Sequence, residues 1–287
     1  MFPARRSYTI PLPAGALLLG DRCFVMGILN VTPDSFAEPS ATHDPSATID
    51  RGVRMQDEGA DILDVGGEST RPGTDPVGVD EELARVLPVV RGLARRVRVP
   101  ISVDTYRAAV ARAVLDAGAS IINDISGLRY EPELAGVVAD SRAALVLMHM
   151  RGRPKTMYAE AVYRDLMAEL EAELRASVSS AAAAGVPLDR VIVDPGVGFA
   201  KRPPDSYGVL ARIPALAAAL DRPVLVGPSR KSFMRDALAG RPAPERDWGT
   251  AAAVTAAVLA GAHIVRVHAV SEMTQVVRVA EEIRRHG

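Results

Sequence analysis

A chain of 287 residues with 48% hydrophobic residues can bury one large core, and it falls near the roughly 250 residues of an eight-stranded α/β barrel. A formal net charge of -1 excludes a global basic field for nucleic acid or anionic membrane, so any anionic ligand must be held by local groups. The single cysteine, Cys23, excludes an internal disulfide framework and a multi-thiolate metal site, and fits a reducing compartment, for which the cytosol is the simplest home. Arg5 and Arg6 precede no apolar core of signal-peptide length, because Pro11 and Pro13 interrupt it. No run approaches the roughly 18 apolar residues of a membrane span.

In chain order, residues 8–12 and 16–19 give two short strand-like runs around Pro13-Ala-Gly15, which predicts a hairpin plugging one end of a barrel. Residues 1–23 are accordingly read as a cap and residues 24–287 as the barrel. From Val25 onward strand and helix signals alternate eight times. The predicted strands cover residues 25–31, 61–67, 100–105, 120–126, 144–150, 191–198, 223–229 and 264–269, each nearly continuous in apolar residues, as strands covered on both faces are. Helical spacing fills the intervals, as in Leu83, Val86, Val90 and Leu93, and a long helix is expected from about Tyr163. Gly59, Gly118, Gly185 and Gly261 stand where helices should close on a left-handed residue. Eight strand–helix units predict a single TIM (β/α)8 barrel in the α/β class, with an open doubly wound sheet as the alternative. Two loops, residues 32–46 and 68–79, exceed what a barrel needs and are candidates to cover a site.

A closed barrel would gather the carboxyl ends of its strands at one mouth. Those ends carry Asn30; Glu68, Ser69, Thr70 and Arg71; Asp104; Asn123 and Asp124; His149; Asp194; Ser229, Arg230, Lys231 and Ser232; Arg266 and His268. Singly, each has a plainer reading as a cap, turn former or packed side chain. Together they form two chemical halves. Asp104, Asn123 and Asp194 suit a flat heterocycle with guanidine-like nitrogens. Lys231, Arg266, His268 and Arg71 supply positive charge and donors for phosphate or carboxylate, with helix N-termini expected after strands seven and eight. No phosphate-loop signature, complete dinucleotide fingerprint or zinc-site spacing is present.

The stretches Met26-Gly-Ile-Leu-Asn-Val-Thr-Pro-Asp-Ser-Phe36, Asp64-Val-Gly-Gly-Glu-Ser-Thr-Arg-Pro-Gly73, Ile101-Ser-Val-Asp-Thr105, Ile122-Asn-Asp124, Met148-His-Met150, Asp194-Pro-Gly-Val-Gly-Phe199, Ser229-Arg-Lys-Ser232 and Arg266-Val-His268 together resemble the dihydropteroate synthase family of pterin-binding enzymes. The resemblance runs from about residue 24 to the end. It implies a homodimeric barrel that joins 6-hydroxymethyl-7,8-dihydropterin diphosphate to 4-aminobenzoate with release of diphosphate, a transferase step of folate synthesis and the target of sulfonamides. It implies that Asp104, Asn123, Asp194 and Lys231 hold the pterin, that Met148 and Gly227 line its slot, and that Arg266 lies over its face. Asn30 would coordinate Mg²⁺ on the diphosphate, and Arg266 with His268 would bind diphosphate oxygens. Phe36, Thr70, Arg71, Pro72 and Ser232 would form the aminobenzoate pocket, with the two long loops closing over it. Asn30, Thr70, Arg71, Lys231, Arg266 and His268 would then carry catalysis, through a dissociative substitution and ordered binding.

Three departures from the family pattern stand out. Ala37-Glu-Pro-Ser40 replaces a glycine-rich turn, Ala269 replaces an Asp that leaves Ser271 as the expected helix cap, and Ala200 replaces a glycine before Lys201, a change expected to be tolerated. The rival readings are a non-catalytic pterin-binding paralogue and a pterin-dependent methyltransferase barrel.

Overall fold

The computed structural model describes residues 2–31, 44–70 and 73–287. The expected positions Phe36, Arg71 and Pro72, and the turn at 37–40, lie outside the described residues.

The hairpin predicted at the start forms as β1 (Tyr8–Pro11) and β2 (Ala16–Leu19), antiparallel with Tyr8 opposite Leu19. Eight parallel strands follow: β3 (Phe24–Asn30), β4 (Ile62–Gly66), β5 (Ile101–Asp104), β6 (Ile121–Asp124), β7 (Ala144–Met148), β8 (Val191–Asp194), β9 (Leu225–Val226) and β10 (Ile264–Val267). Their order is β8-β7-β6-β5-β4-β3-β10-β9. The ring is completed where Val193 bridges Val224 and the Val193 N–H donates to the Pro223 carbonyl at 3.0 Å. Around it pack α1 (Pro45–Asp57), α2 (Val79–Ala94), α3 (Ala108–Asp116), α4 (Leu134–Ser141), α5 (Leu166–Ala183), α6 (Pro203–Ala211), α7 (Ile213–Leu220), α8 (Asp247–Leu259) and α9 (Val270–His286). The closed (β/α)8 barrel, and not the open sheet, is the fold.

Two strands fall furthest short of their predicted runs, and in both a proline stands at the break. Residues 223–229 contribute only Leu225–Val226, because Pro223 and Pro228 have no N–H to give a ladder. Residues 191–198 stop at Asp194, where Pro195 is followed by Gly196 at φ 65° and Gly198 at φ 79°. The long helix starts at Leu166, later than Tyr163, because the Asp165 side chain accepts from Ala168 N–H and caps it there.

The helix-to-strand turns expected at Gly59, Gly118, Gly185 and Gly261 all form. After α1, Gly59 N–H donates to Gln56 and Ala60 N–H to Met55. The same pair of bonds recurs at Gly118 and Ala119, Gly185 and Val186, and Gly261 and Ala262. Each is a Schellman closure with a left-handed glycine.

Strand alternation then fixes what faces the barrel axis. Met26, Ile62, Ile121, Ala144, Val146, Ile192, Leu225 and Ile264 form an inner apolar layer with hairpin residues Ile10, Leu12, Leu17 and Leu19. Their neighbours, among them Val25, Leu63, Val65, Val103, Leu145, Val193, Val226 and Val265, pack outward against the helices. Two residues beyond the inner layer, the same faces present Asp64, Asn123, Met148, Asp194, Gly227 and Arg266. The hairpin thus plugs the floor, and the polar layer lies at the other end. No helix among the described residues is long and apolar enough to cross a membrane.

Candidate active site

The inward polar layer is bonded to itself across four strands. Arg266, on β10, donates from Nε to Asp64 Oδ2 at 2.6 Å and from Nη2 to Asp104 Oδ2 at 2.9 Å. Asn123 Nδ2 also donates to Asp64 Oδ2, at 3.1 Å. The register sets this up: Asp104 pairs with Gly66 on one side and with Asn123 on the other, and Asn30 pairs with Gly66. Gly66 is a gap between side chains, since a Cβ there would lie 3.6 Å from Asp104 Cβ and 3.8 Å from Asn30 Oδ1.

Across the cavity stand Asp194 and Lys231. Asp194 pairs with Met148 in the β7–β8 register, and its Oδ1 accepts from Gly196 N–H at 2.7 Å. Lys231 Nζ donates to the Val197 carbonyl at 2.6 Å and sits 4.0 Å over the Phe199 ring. A Cβ on Gly227 would meet Arg266 Cβ at 3.7 Å and Lys231 Nζ at 4.0 Å, so any larger residue would narrow the slot between the two cations. Of the residues expected to hold a pterin, Asp104, Asn123, Met148, Asp194, Gly227, Lys231 and Arg266 therefore lie together at one end of the barrel.

The electrostatics follow from that crowding. Burial pushes the Asp104 carboxyl up to about 7, with Arg266 pulling it down and Asp64 pushing it further up. Burial draws the Lys231 ammonium down to about 7 against the attraction of Asp194. Both groups can therefore change charge near neutrality.

Three expectations change: the charge of His268, the cap of α9 and the chain directly after β9. His268 was expected to supply positive charge, but burial and then the nearby Arg230 and Arg266 draw its imidazole down to about 3. It is a neutral ring whose Nδ1 lies 2.9 Å from Ser229 Oγ, so it offers a polar nitrogen and not a cation. Arg266 is bonded between two acids, inside the half of the site expected to grip the ring. Ser271 does not cap α9: Ala269 occupies the cap position with no side-chain bond, and Ser271 lies in the first turn. After β9 the chain first enters a three-residue 3₁₀ turn, Ser232–Met234, and α8 begins only at Asp247, so the helix N-terminus expected directly after strand seven is displaced along the chain, while the one after strand eight follows at once.

Glu68 and Asp124 have structural partners. Asp124 accepts from Ser126 N–H at 2.7 Å and Leu128 N–H at 2.6 Å, which is the turn-former reading. Glu68 accepts from Val77 N–H at 3.2 Å and pairs with Arg107 at 3.1 Å. Arg107 also bonds the Val77 carbonyl at 2.6 Å and pairs with the buried Glu82. These bonds tie the base of the second long loop, on which the half-buried Thr70 stands, to the barrel wall. The same loop reaches the segment after β7 through Lys155 Nζ and Asp75, 2.7 Å apart.

Two residues near the cavity escaped sequence reasoning. Asp64 is fully buried and reads as one polar letter in an apolar run; its inward parity with Gly66 is the signal that would have found it. Tyr158 carries no sequence signal. It lies in the irregular segment after β7, and its hydroxyl is 3.0 Å from Ser232 Oγ.

A family model described as pterin binding enzyme matches residues 26–268. The dihydropteroate synthase of Synechocystis sp. is 44% identical over 277 residues, which cover 96% of each chain. The crystal structure of Yersinia pestis dihydropteroate synthase with a sulfonamide drug superposes with a TM-score of 0.91 at 39% identity, covering 96% of this chain and 99% of that one. Burkholderia cenocepacia dihydropteroate synthase complexed with 7,8-dihydropteroate gives a TM-score of 0.88 at 41% identity, over 100% of this chain and 98% of that one. A polar ring seated on a plugged eight-stranded barrel, matched along nearly the whole length by these relatives, leads to one conclusion: the chain belongs to the pterin-binding enzyme family, among its dihydropteroate synthases.

Proposed function

We propose that the chain joins 6-hydroxymethyl-7,8-dihydropterin diphosphate to 4-aminobenzoate, forming 7,8-dihydropteroate and diphosphate. The observation that carries the reading is the closed set of Asp104, Asn123, Asp194, Lys231 and Arg266 around one slot with Gly227 and Met148 at its sides. Carboxylates opposite an amidine-like edge give paired, charge-assisted bonds. The amide of Asn123 and the ammonium of Lys231 answer the ring's acceptors, and the Arg266 guanidinium lies against its face.

In the reaction the amine nitrogen of aminobenzoate bonds to the pterin methylene as the C–O bond breaks, and diphosphate leaves with the electron pair. The amine then sheds a proton to solvent. An aniline is neutral at pH 7 and already nucleophilic, so no general base is required. Arg266 and the neutral His268 bind diphosphate oxygens in this proposal, and positioning with electrostatic stabilisation supplies the rate. Thr70, Arg71, Phe36 and Pro72 wall the aminobenzoate, whose carboxylate lies by Ser232. The pterin binds first and aminobenzoate second as the loops close.

Among the described residues no group of three His, Cys, Asp or Glu side chains could hold a metal by itself. Asn30 offers one amide oxygen beside Gly66, which fits a Mg²⁺ held mainly by phosphate oxygens and water. Bound there, the ion would neutralise charge on the leaving diphosphate. A homodimer working in the cytosol completes the proposal.

The test is purified protein with Mg²⁺ and both substrates, followed by diphosphate release and by the mass of dihydropteroate. Stoichiometric formation of both products is expected. Tight pterin binding without turnover would instead establish the non-catalytic reading, which the bare cap at Ala269 favours.

A further inference from the structure

A lysine with 0% exposure stands behind the turn that carries Asp194 and faces Lys231. Lys201 follows the turn between β8 and α6, and its Nζ lies 2.8 Å from His149 Nδ1, 3.1 Å from the Phe199 carbonyl and 3.2 Å from the Gly196 carbonyl. The His149 carbonyl is next, at 3.5 Å. An ammonium only donates, so His149 Nδ1 accepts and its Nε2–H donates to Glu173 Oε2 at 3.0 Å. Glu173 is fixed in turn by Arg151 Nε at 2.9 Å and Arg129 Nη1 at 3.1 Å. A buried charge costs several kcal/mol unless it is fully partnered, and a hydrophobic side chain of the same length would fill the space without that cost. The charge therefore needs a reason beyond packing.

The reason lies in what it holds. Gly196, Gly198 and Ala200 all have left-handed backbones, at φ 65°, 79° and 45°. For Ala200 this costs about 1–2 kcal/mol, which an anchor must offset. The turn is pressed against both neighbours. A Cβ on Gly196 would lie 2.0 Å from the His149 carbonyl, and one on Gly198 would lie 2.9 Å from Lys231 Cδ. From this turn come the Val197 carbonyl that receives Lys231, the Phe199 ring beneath it, and the Gly196 N–H that orients Asp194.

We propose that Lys201 is a positioning residue of the pterin site: its ammonium, locked by His149 and two turn carbonyls, holds the 195–200 turn in the shape that aims Lys231 and Asp194 at the ligand. The inference rests on the pterin reading given above. The charged groups around the lock are Asp194, Lys231, Glu173, Arg129 and Arg151. Burial draws the Lys201 ammonium down to about 7, against the pull of Asp194, so the lock is firmest on the acid side of neutrality.

Steady-state kinetics of Lys201→Met against both substrates test it. The KM for pterin diphosphate rises about tenfold, while kcat stays within threefold and the aminobenzoate KM within twofold; adding Lys231→Met then costs less than it does in the wild type. A folded Lys201→Met protein with wild-type pterin KM, or with both KM values raised equally, overturns the proposal. Should that variant fail to fold, ¹⁵N spectra of wild-type His149 decide. Nδ1 is expected unprotonated and Nε2 protonated, with the Nδ1 signal moving when pterin diphosphate binds. A protonated Nδ1, or a signal indifferent to the ligand, overturns it. Wild-type product formation is read separately, so failure of the assigned reaction cannot be mistaken for failure of the lock.

Discussion

The Nε of Arg266 donates to Asp64 Oδ2 at 2.6 Å across 202 positions of chain, and through the same guanidinium Asp64 is coupled to Asp104. This clamp joins β10 to β4 and β5 at the level where substrate is proposed to bind. Asp64 is wholly buried, so removing it leaves Arg266 and Asn123 short of an acceptor. Loss of one partner from a buried pair costs about 3–5 kcal/mol. Asp64→Ala is expected to fall in that range by urea denaturation, with pterin affinity reduced at least tenfold, and Asp64→Asn to fall between it and wild type. A stability within about 1 kcal/mol of wild type for the alanine variant would show that the clamp is unimportant.

Asp104 and Lys231 titrate near each other with opposite demands on the ligand. Losing a proton from Asp104 creates an acceptor, and losing one from Lys231 removes a donor. Both carry values of about 7. The pH profile of kcat/KM for the pterin substrate should therefore be a narrow bell centred near neutrality. Asp104→Asn should flatten the acid arm at much lower activity, measured as initial rates from pH 5 to 9 under pterin-limiting conditions.

The buried histidines make the fold sensitive to acid. His149 and His263 are drawn down to about 4 and His268 to about 3, burial being the main cause for each. Their folded values lie below the ordinary 6.5, so the unfolded chain binds more protons between them. The stability they contribute is complete above 6.5 and is lost as pH falls toward 4. Each fully buried ring is worth on the order of a few kcal/mol over that window. The denaturation midpoint should drop steeply between pH 6.5 and 4, and His263→Gln should reduce the slope.

Tyr158 and Ser232 place two hydroxyls 3.0 Å apart where the aminobenzoate carboxylate is proposed to lie. Tyr158→Phe removes one donor from a largely solvated site, where a hydrogen bond to a charged group is worth about 1.5 kcal/mol. The aminobenzoate KM should rise about tenfold while the pterin KM stays constant. Inhibition by a sulfonamide should weaken in parallel, and unchanged inhibition would mean that the two ligands are held differently at this end.

The barrel and most of its inward ring were legible because a strand reports its facing through parity. Asn30, Asp104, Asn123 and Asp194 end apolar runs, and a closed sheet turns all such ends toward one opening. What escaped depends on partners distant in sequence. Lys201 follows Phe199 and Ala200 with nothing to suggest burial, because its acceptors come from His149, just past β7, and from its own turn. The acidic range of His268 needs its burial first, and then the positions of Arg230 and Arg266. Glu68, beside the expected ligand residues, is claimed by Arg107, a pairing no local pattern records. Tyr158 and its segment between β7 and α5 have no periodicity to read.

The two-residue β9 has a mechanical consequence. Every other barrel strand has at least four residues, whereas this one joins its neighbour β8 through a lone bridge between Val193 and Val224. The ring therefore has a weak sector, and it coincides with Asp194 on one flank and Gly227 on the other. Amide protons there should exchange with solvent sooner than those of β4 or β6, and a bound bicyclic ring spanning that sector would act as a rivet, slowing the exchange more than elsewhere in the wall.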